Sequence, residues 1–137
     1  ALEDENAQSI AAPLSFDRHE TGVESAHFLP VINGMELVTL AGTGRMAAVP
    51  GISVCGKTGT AENNQRGGED HSIFFAFAPK EKPKIAIAVY IENGGWGGTY
   101  AAPTAGLMIE KYLNDTISTN RLWLEQRMVE ADLIKQP

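Results

Sequence analysis

Lys57, Thr58, Gly59 and Thr60 are the residues whose types and spacing could do chemistry. Their surroundings, GISVCGKTGT over residues 51–60, admit two incompatible readings. Gly51, Gly56, Lys57 and Thr58 fit G-x-x-x-x-G-K-[ST], the phosphate-cradling loop of nucleotide-binding domains. The same letters placed on a strand put Thr58 and Thr60 on one face and Lys57 and Gly59 on the other. Two hydroxyls at that spacing can receive a carboxylate. The lysine beside them raises the local positive potential, and Gly59 leaves room for a close backbone or ligand. An N–H that is free on an edge strand can point at an oxyanion.

The elements around the motif favour the strand. A phosphate loop needs a buried strand before its first glycine and a helix beginning at the Lys-Thr. Here RMAAVP precedes Gly51, β-forming Ile-Ser-Val-Cys lies between the glycines, and GTAENNQRGGED follows Thr58. Strands are expected over 52–60, over His71–Ala78 and over Lys84–Glu92, the last two as an antiparallel hairpin through Lys80–Pro83. In the third strand Ile85, Ile87, Val89 and Ile91 share one face. Ala86, Ala88 and Tyr90 share the other, and that smaller face is expected to receive a helix. A helix is expected over 25–40, capped by Ser25, with Phe28, Val31, Ile32, Met35 and Val38 at helical spacing. A second is expected at about Tyr100–Asn114, burying Leu107, Met108, Tyr112 and Leu113. A short charged helix is expected within 121–135, around Leu122, Trp123, Val129 and Leu133. Residues 1–24 read as a surface segment or linker, 25–115 as the folded part and 116–137 as a tail. The fold class is α+β: a partial antiparallel sheet with packed helices.

Bulk composition narrows the function. The 137 residues are 43% hydrophobic with a net charge of −6, ordinary for a globular chain and unattractive to nucleic acid or an anionic membrane. The single cysteine, Cys55, excludes an internal disulfide and a four-cysteine zinc site. No stretch reaches the ~18 apolar residues of a membrane span. The acidic start, ALEDEN, is unlike a signal peptide, so any targeting segment of the parent is expected outside this sequence.

On its own, K-T-G is equally a surface strand with one exposed lysine and two solvated threonines. The surrounding text adds weight. KTGTAE, then Asp70-His71-Ser72, FAFAP, IAVYIENGG and an alanine- and proline-rich helix follow in order. Across about residues 20–115 they closely resemble the C-terminal third of a bacterial class B penicillin-binding protein, and within that class the penicillin-binding protein 2 subfamily of elongation-specific peptidoglycan transpeptidases. The resemblance implies the serine penicillin-recognising fold and a D,D-transpeptidase. It implies that Lys57 supports the second-motif serine and the substrate carboxylate, that Thr58 and Thr60 bind that carboxylate beside Gly59, and that the Thr60 N–H is half of an oxyanion hole. It implies no cofactor and no metal. The implied partners are a stem peptide ending in D-Ala-D-Ala, β-lactams and the cell-elongation machinery, at the periplasmic side of the inner membrane.

The family also uses S-x-x-K and S-x-N upstream of K-T-G. None of Ser9, Ser15, Ser25, Ser53, Ser72 and Ser118 has lysine three residues later. Ser118-Thr119-Asn120 fits S-x-N but follows K-T-G, and is read as chance. The expectation is a C-terminal fragment, inactive alone and prone to self-association. A serine β-lactamase, a β-lactam sensor and a nucleotide-binding domain remain as rivals. His71 is expected in a structural hydrogen bond, Cys55 as a buried thiol, Trp96 in a rim or an ordinary turn, and Glu62–Asp70 as a solvated loop.

Overall fold

A computed structural model describes residues 20–63 and 68–133. The expected linker over 1–24 therefore lies almost wholly outside the described residues, as do the middle of the 62–70 loop and the last four residues. Three strands, β1 (Cys55–Ala61), β2 (His71–Ala78) and β3 (Ile85–Ile91), form an antiparallel sheet in the order β1-β2-β3. Helix α1 (Phe28–Leu40) precedes the sheet, and α2 (Ala101–Asn114) and α3 (Leu122–Val129) follow it. The hairpin between β2 and β3 is as expected, closed by the Lys84 N–H donating to Ala78 O at 2.8 Å.

The first strand begins at Cys55 rather than Ile52. Pro50 and Gly51 make a tight turn in which Ile52 N–H donates to Val49 O at 3.1 Å and Gly51 adopts φ +75°, a conformation that glycine takes without penalty. Val54 then gives its carbonyl to the Thr39 hydroxyl of α1 at 2.6 Å instead of to a strand.

The core lies between one sheet face and α2. Phe74 and Ala76 of β2 meet Ala101, Ala102, Ala105 and Ile109 of α2, with Ala47, Val49 and Val54 closing the side. The expected orientation of β3 is reversed: Ile85, Ile87, Val89 and Ile91 pack toward this core, while Ala86, Ala88 and Tyr90 are exposed. Alternation separates two faces but does not say which is inward. The helix supplies the small residues here, so the branched strand residues fill the layer. Gly106 shows how close the approach is, since a Cβ there would lie 2.7 Å from Ala47 Cα.

The helices depart from their sequence reading in detail. Ser25 begins a 3₁₀ turn (Ser25–His27) and caps nothing with its side chain. Of the α1 residues expected inside, Ile32, Met35 and Val38 are half-buried, and Phe28 and Val31 are exposed, because α1 meets the sheet chiefly through β1. In α2, Leu107 is buried and Leu113 half-buried, but Met108 and Tyr112 face outward. Helix α3 ends at Val129, and its buried residue is Leu124 rather than Leu122, Trp123 or Val129.

Candidate active site

No helix begins at Lys57. Residues 57–61 continue β1 in register with β2, which removes the backbone that a phosphate loop requires. The nucleotide-binding reading ends there.

Thr58 lies opposite Phe74 and Thr60 opposite Ser72, so the two threonines share the core-side face beyond the edge of the packing. Lys57 lies opposite Phe75 and Gly59 opposite Ile73, on the other face. Among the described residues no strand pairs with the outer edge of β1. In an antiparallel ladder alternate N–H groups on such an edge turn away from the neighbouring strand.

The wall facing β1 is the glycine-rich connection from β3 to α2. It is pinned from behind by Ser72, a fully buried residue whose hydroxyl donates to Trp96 O at 3.0 Å and accepts from the Ala101 N–H at 3.1 Å. Ala102 N–H donates to Gly97 O at 2.9 Å, so the first N–H groups of α2 are satisfied by the loop and the strand rather than by a ligand. A Cβ on Gly97 would lie 2.2 Å from Ile73 O and 2.5 Å from Gly59 O. One on Gly98 would lie 2.4 Å from Thr43 O. The loop thus rests backbone against backbone on the sheet and on the turn after α1.

Between these walls lies an open cleft of about 790 Å³ lined by Thr43, Arg45, Lys57, Thr58, Thr60 and Trp96, together with the glycines on either side. Among the described residues two cations line it and no carboxylate does, although the chain as a whole carries −6. The Lys57 amine folds onto Thr58 O at 2.6 Å, and the Thr58 hydroxyl lies 2.8 Å from that of Thr43. Trp96 stands 79% exposed at the rim. The arrangement suits an anion: positive charge and hydroxyl donors line one open space beside an unpaired strand edge.

All four residues singled out in the sequence line this cleft. Thr43, Arg45 and Ser72 were not foreseen as parts of the site. Thr43 and Arg45 sit among glycines that read as a break between elements, and Ser72 lies inside an apolar strand. Cys55 is fully buried, with Sγ 3.7 Å from Ile32 O of α1, away from the cleft. Burial pushes its thiol above the ordinary value, with Glu36 and Glu81 raising it further and Lys80 pulling it back. His71 accepts from the Asn93 N–H at 3.2 Å and lies beside the Tyr90 ring, the structural hydrogen bond expected of it. The ends of the 62–70 loop are tied by Asn63, which donates through its N–H to Asp70 at 3.1 Å and through its amide to Asn93 at 2.8 Å. Ser118 does not line this cleft; its N–H and hydroxyl both reach the buried Glu110 carboxylate. Among the described residues no cluster of His, Cys, Asp and Glu could hold a metal.

Known proteins share this architecture. The chain superposes on a D,D-transpeptidase domain of a peptidoglycan glycosyltransferase from Eggerthella lenta with a TM-score of 0.62 and 32% identity, covering 82% of this chain and 26% of that one. It superposes on a ceftriaxone acyl-enzyme complex of penicillin-binding protein A from Mycobacterium tuberculosis with a TM-score of 0.61 and 28% identity, covering 81% and 26%. In sequence it is 42% identical over 73 residues to the peptidoglycan D,D-transpeptidase PbpA of M. tuberculosis, covering 48% of this chain and 15% of that protein. It is 37% identical over 90 residues to MrdA of Haemophilus influenzae, covering 56% and 14%. The chain thus spans about one-seventh of the length of these two curated relatives. The model of the penicillin binding protein transpeptidase domain matches residues 18–110, more than half of the chain and the whole of the cleft. With the anion-ready K-T-G edge strand and its glycine-rich wall lying inside that match, the chain belongs to the penicillin binding protein transpeptidase domain family.

Proposed function

We propose that this chain supplies the K-T-G wall of a peptidoglycan D,D-transpeptidase whose nucleophilic serine lies in a part of the parent outside these residues. The observation that carries the reading is the cationic cleft, lined by no carboxylate among the described residues, with Lys57, Thr58 and Thr60 on one edge. In the reaction the serine oxygen adds to the penultimate carbonyl of the stem peptide. The amide C–N bond breaks, and the terminal D-alanine leaves with a proton. An amine of a neighbouring strand then attacks the acyl-serine and releases the serine. Lys57 and the two threonine hydroxyls hold the terminal carboxylate, and the Thr60 N–H faces the developing oxyanion. A β-lactam, which carries a carboxylate and a strained amide, uses the same positions and stays on the serine. The M. tuberculosis neighbour was solved as a ceftriaxone acyl-enzyme complex.

The likeness to MrdA supports an elongation-type parent that works with cell-elongation proteins at the periplasmic face of the inner membrane. No helix among the described residues is long and apolar enough to cross a membrane.

The test is acylation of the intact parent by a fluorescent penicillin. Lys57→Ala should slow it by on the order of a hundredfold, as expected when one preorganised donor is removed. The 137-residue chain alone should take up no penicillin mass, because none of its serines has the S-x-x-K partner. A stoichiometric adduct on the isolated chain, or an unchanged rate in Lys57→Ala, would overturn the assignment.

A further inference from the structure

We infer that Thr43 is a positioning residue of this site: its hydroxyl donates to Thr58, which turns the single Thr58 proton into the cleft toward the bound carboxylate. The inference rests on the transpeptidase reading and names one more part of the same site.

Thr43 lies 15 residues before Thr58 and on a different element, yet the two hydroxyl oxygens are 2.8 Å apart, an ordinary O–H···O length. Its position is fixed from both sides. The turn after α1 is closed by Gly42 N–H to Leu37 O and Gly44 N–H to Val38 O, each at 3.0 Å. From the other side Gly98 presses on the Thr43 carbonyl. The Thr43 backbone is therefore held by the turn after α1 and by the loop before α2, and its exposed hydroxyl meets that of Thr58.

A hydroxyl has one proton and two lone pairs, so the pair has two states. In one, Thr58 donates to Thr43 and presents only lone pairs to the cleft. In the other, Thr43 donates to Thr58 and the Thr58 proton is free. A carboxylate accepts and never donates, so only the second state binds it favourably. The Lys57 amine adds to that donor rather than replacing it: one of its three N–H groups goes to Thr58 O, and it acts as a charge on a flexible stem rather than as a directed hydroxyl. With Thr43 donating, the Thr58 O–H is also polarised by the bond it accepts, which strengthens the bond it makes. Thr43 thus acts through Thr58 and not by touching the substrate.

The experiment uses the intact parent, with second-order acylation rates measured for a penicillin and for its methyl ester. Thr43→Val keeps the shape and removes the proton, and it should slow acylation by the free acid about tenfold. Thr43→Ser should restore the rate to within about twofold, because the hydroxyl is what matters. Once Thr58→Val is present, adding Thr43→Val should change nothing further. With the methyl ester, whose carbonyl accepts only an uncharged and weaker hydrogen bond, the Thr43→Val effect should shrink. Thr43→Ala serves as the second variant if the valine protein does not fold. A wild-type rate in Thr43→Val or Thr43→Ala, an equal loss with the ester, or additive losses with Thr58→Val would overturn the inference while leaving the transpeptidase reading intact. A wild-type parent that no penicillin acylates would overturn both.

Discussion

At Ser72 a buried hydroxyl bonds the Trp96 carbonyl and the Ala101 N–H at once, so one side chain joins β2, the cleft loop and the start of α2. Ser72→Ala leaves both partners without that bond. The expected loss is about 1–3 kcal/mol, read from urea unfolding of the parent, with a larger relative drop in penicillin acylation than an alanine elsewhere in β2 produces. Unchanged stability would mean that water replaces the hydroxyl. Cys55 makes the opposite case, a nucleophilic atom without a task at the site. Its folded thiol sits above the unfolded value, so its contribution to stability is complete below the ordinary thiol range and is lost as pH rises through the higher folded value. Alkylation by iodoacetamide at mildly alkaline pH should therefore be slow in the folded protein and fast in denaturant. Rapid labelling of the native state would show an open thiol.

Between elements, α2 meets the segment leading into α3 through a buried carboxylate. Glu110 is fully buried; its Oε2 lies 3.1 Å from Arg121 Nη1, and its Oε1 accepts from the Ser118 N–H at 3.1 Å. Burial draws the Arg121 guanidinium below its ordinary value, and Glu110 draws it back. Removing one partner strands a buried charge. Glu110→Ala should destabilise the protein by about 3–5 kcal/mol, while replacing both residues with methionine should come closer to neutral. Equal losses in the single and double variants would contradict the pairing. Nothing in the sequence disclosed this contact, because Ser118-Thr119-Asn120 and Arg121 carry no periodic signal and a charged tail reads as solvated. The strand and helix types were legible where periodicity was strong, as in β3 and α2. Which face turned inward was not, since that depends on the alanines that α2 brings to the layer. The K-T-G half of the cleft was legible because its four residues are adjacent. Thr43 and Ser72 were not, because folding alone brings them to the site.

For the molecule as a whole, the unanswered surface is the far side of the sheet. Among the described residues no strand pairs with the outer edge of β3, so seven residues from Ile85 to Ile91 present alternate N–H and C=O groups outward. The face beside that edge carries Phe75 and Tyr90, 47% and 55% exposed, with Ala88 opposite Phe75, Ala86 opposite Phe77 and no charge in β3 itself. A flat apolar edge of this kind is a template for pairing with another chain. The lysines at 80, 82 and 84 guard only its hairpin end. The neighbours of known structure are about four times as long as the matched segment, and material of that size is available in them to cover such a face. The 137-residue chain on its own should therefore self-associate at tens of micromolar. Because each copy carries −6, association should strengthen as salt screens the repulsion. Ala88→Lys places a charge in the middle of the exposed face, opposite Phe75, and should return the chain to a monomer with its circular dichroism unchanged. Sedimentation equilibrium at low and high salt decides it. A wild-type chain that stays monomeric in both, or an Ala88→Lys chain that associates as strongly as the parent sequence, would show that the β3 edge and its face are not the sticking surface.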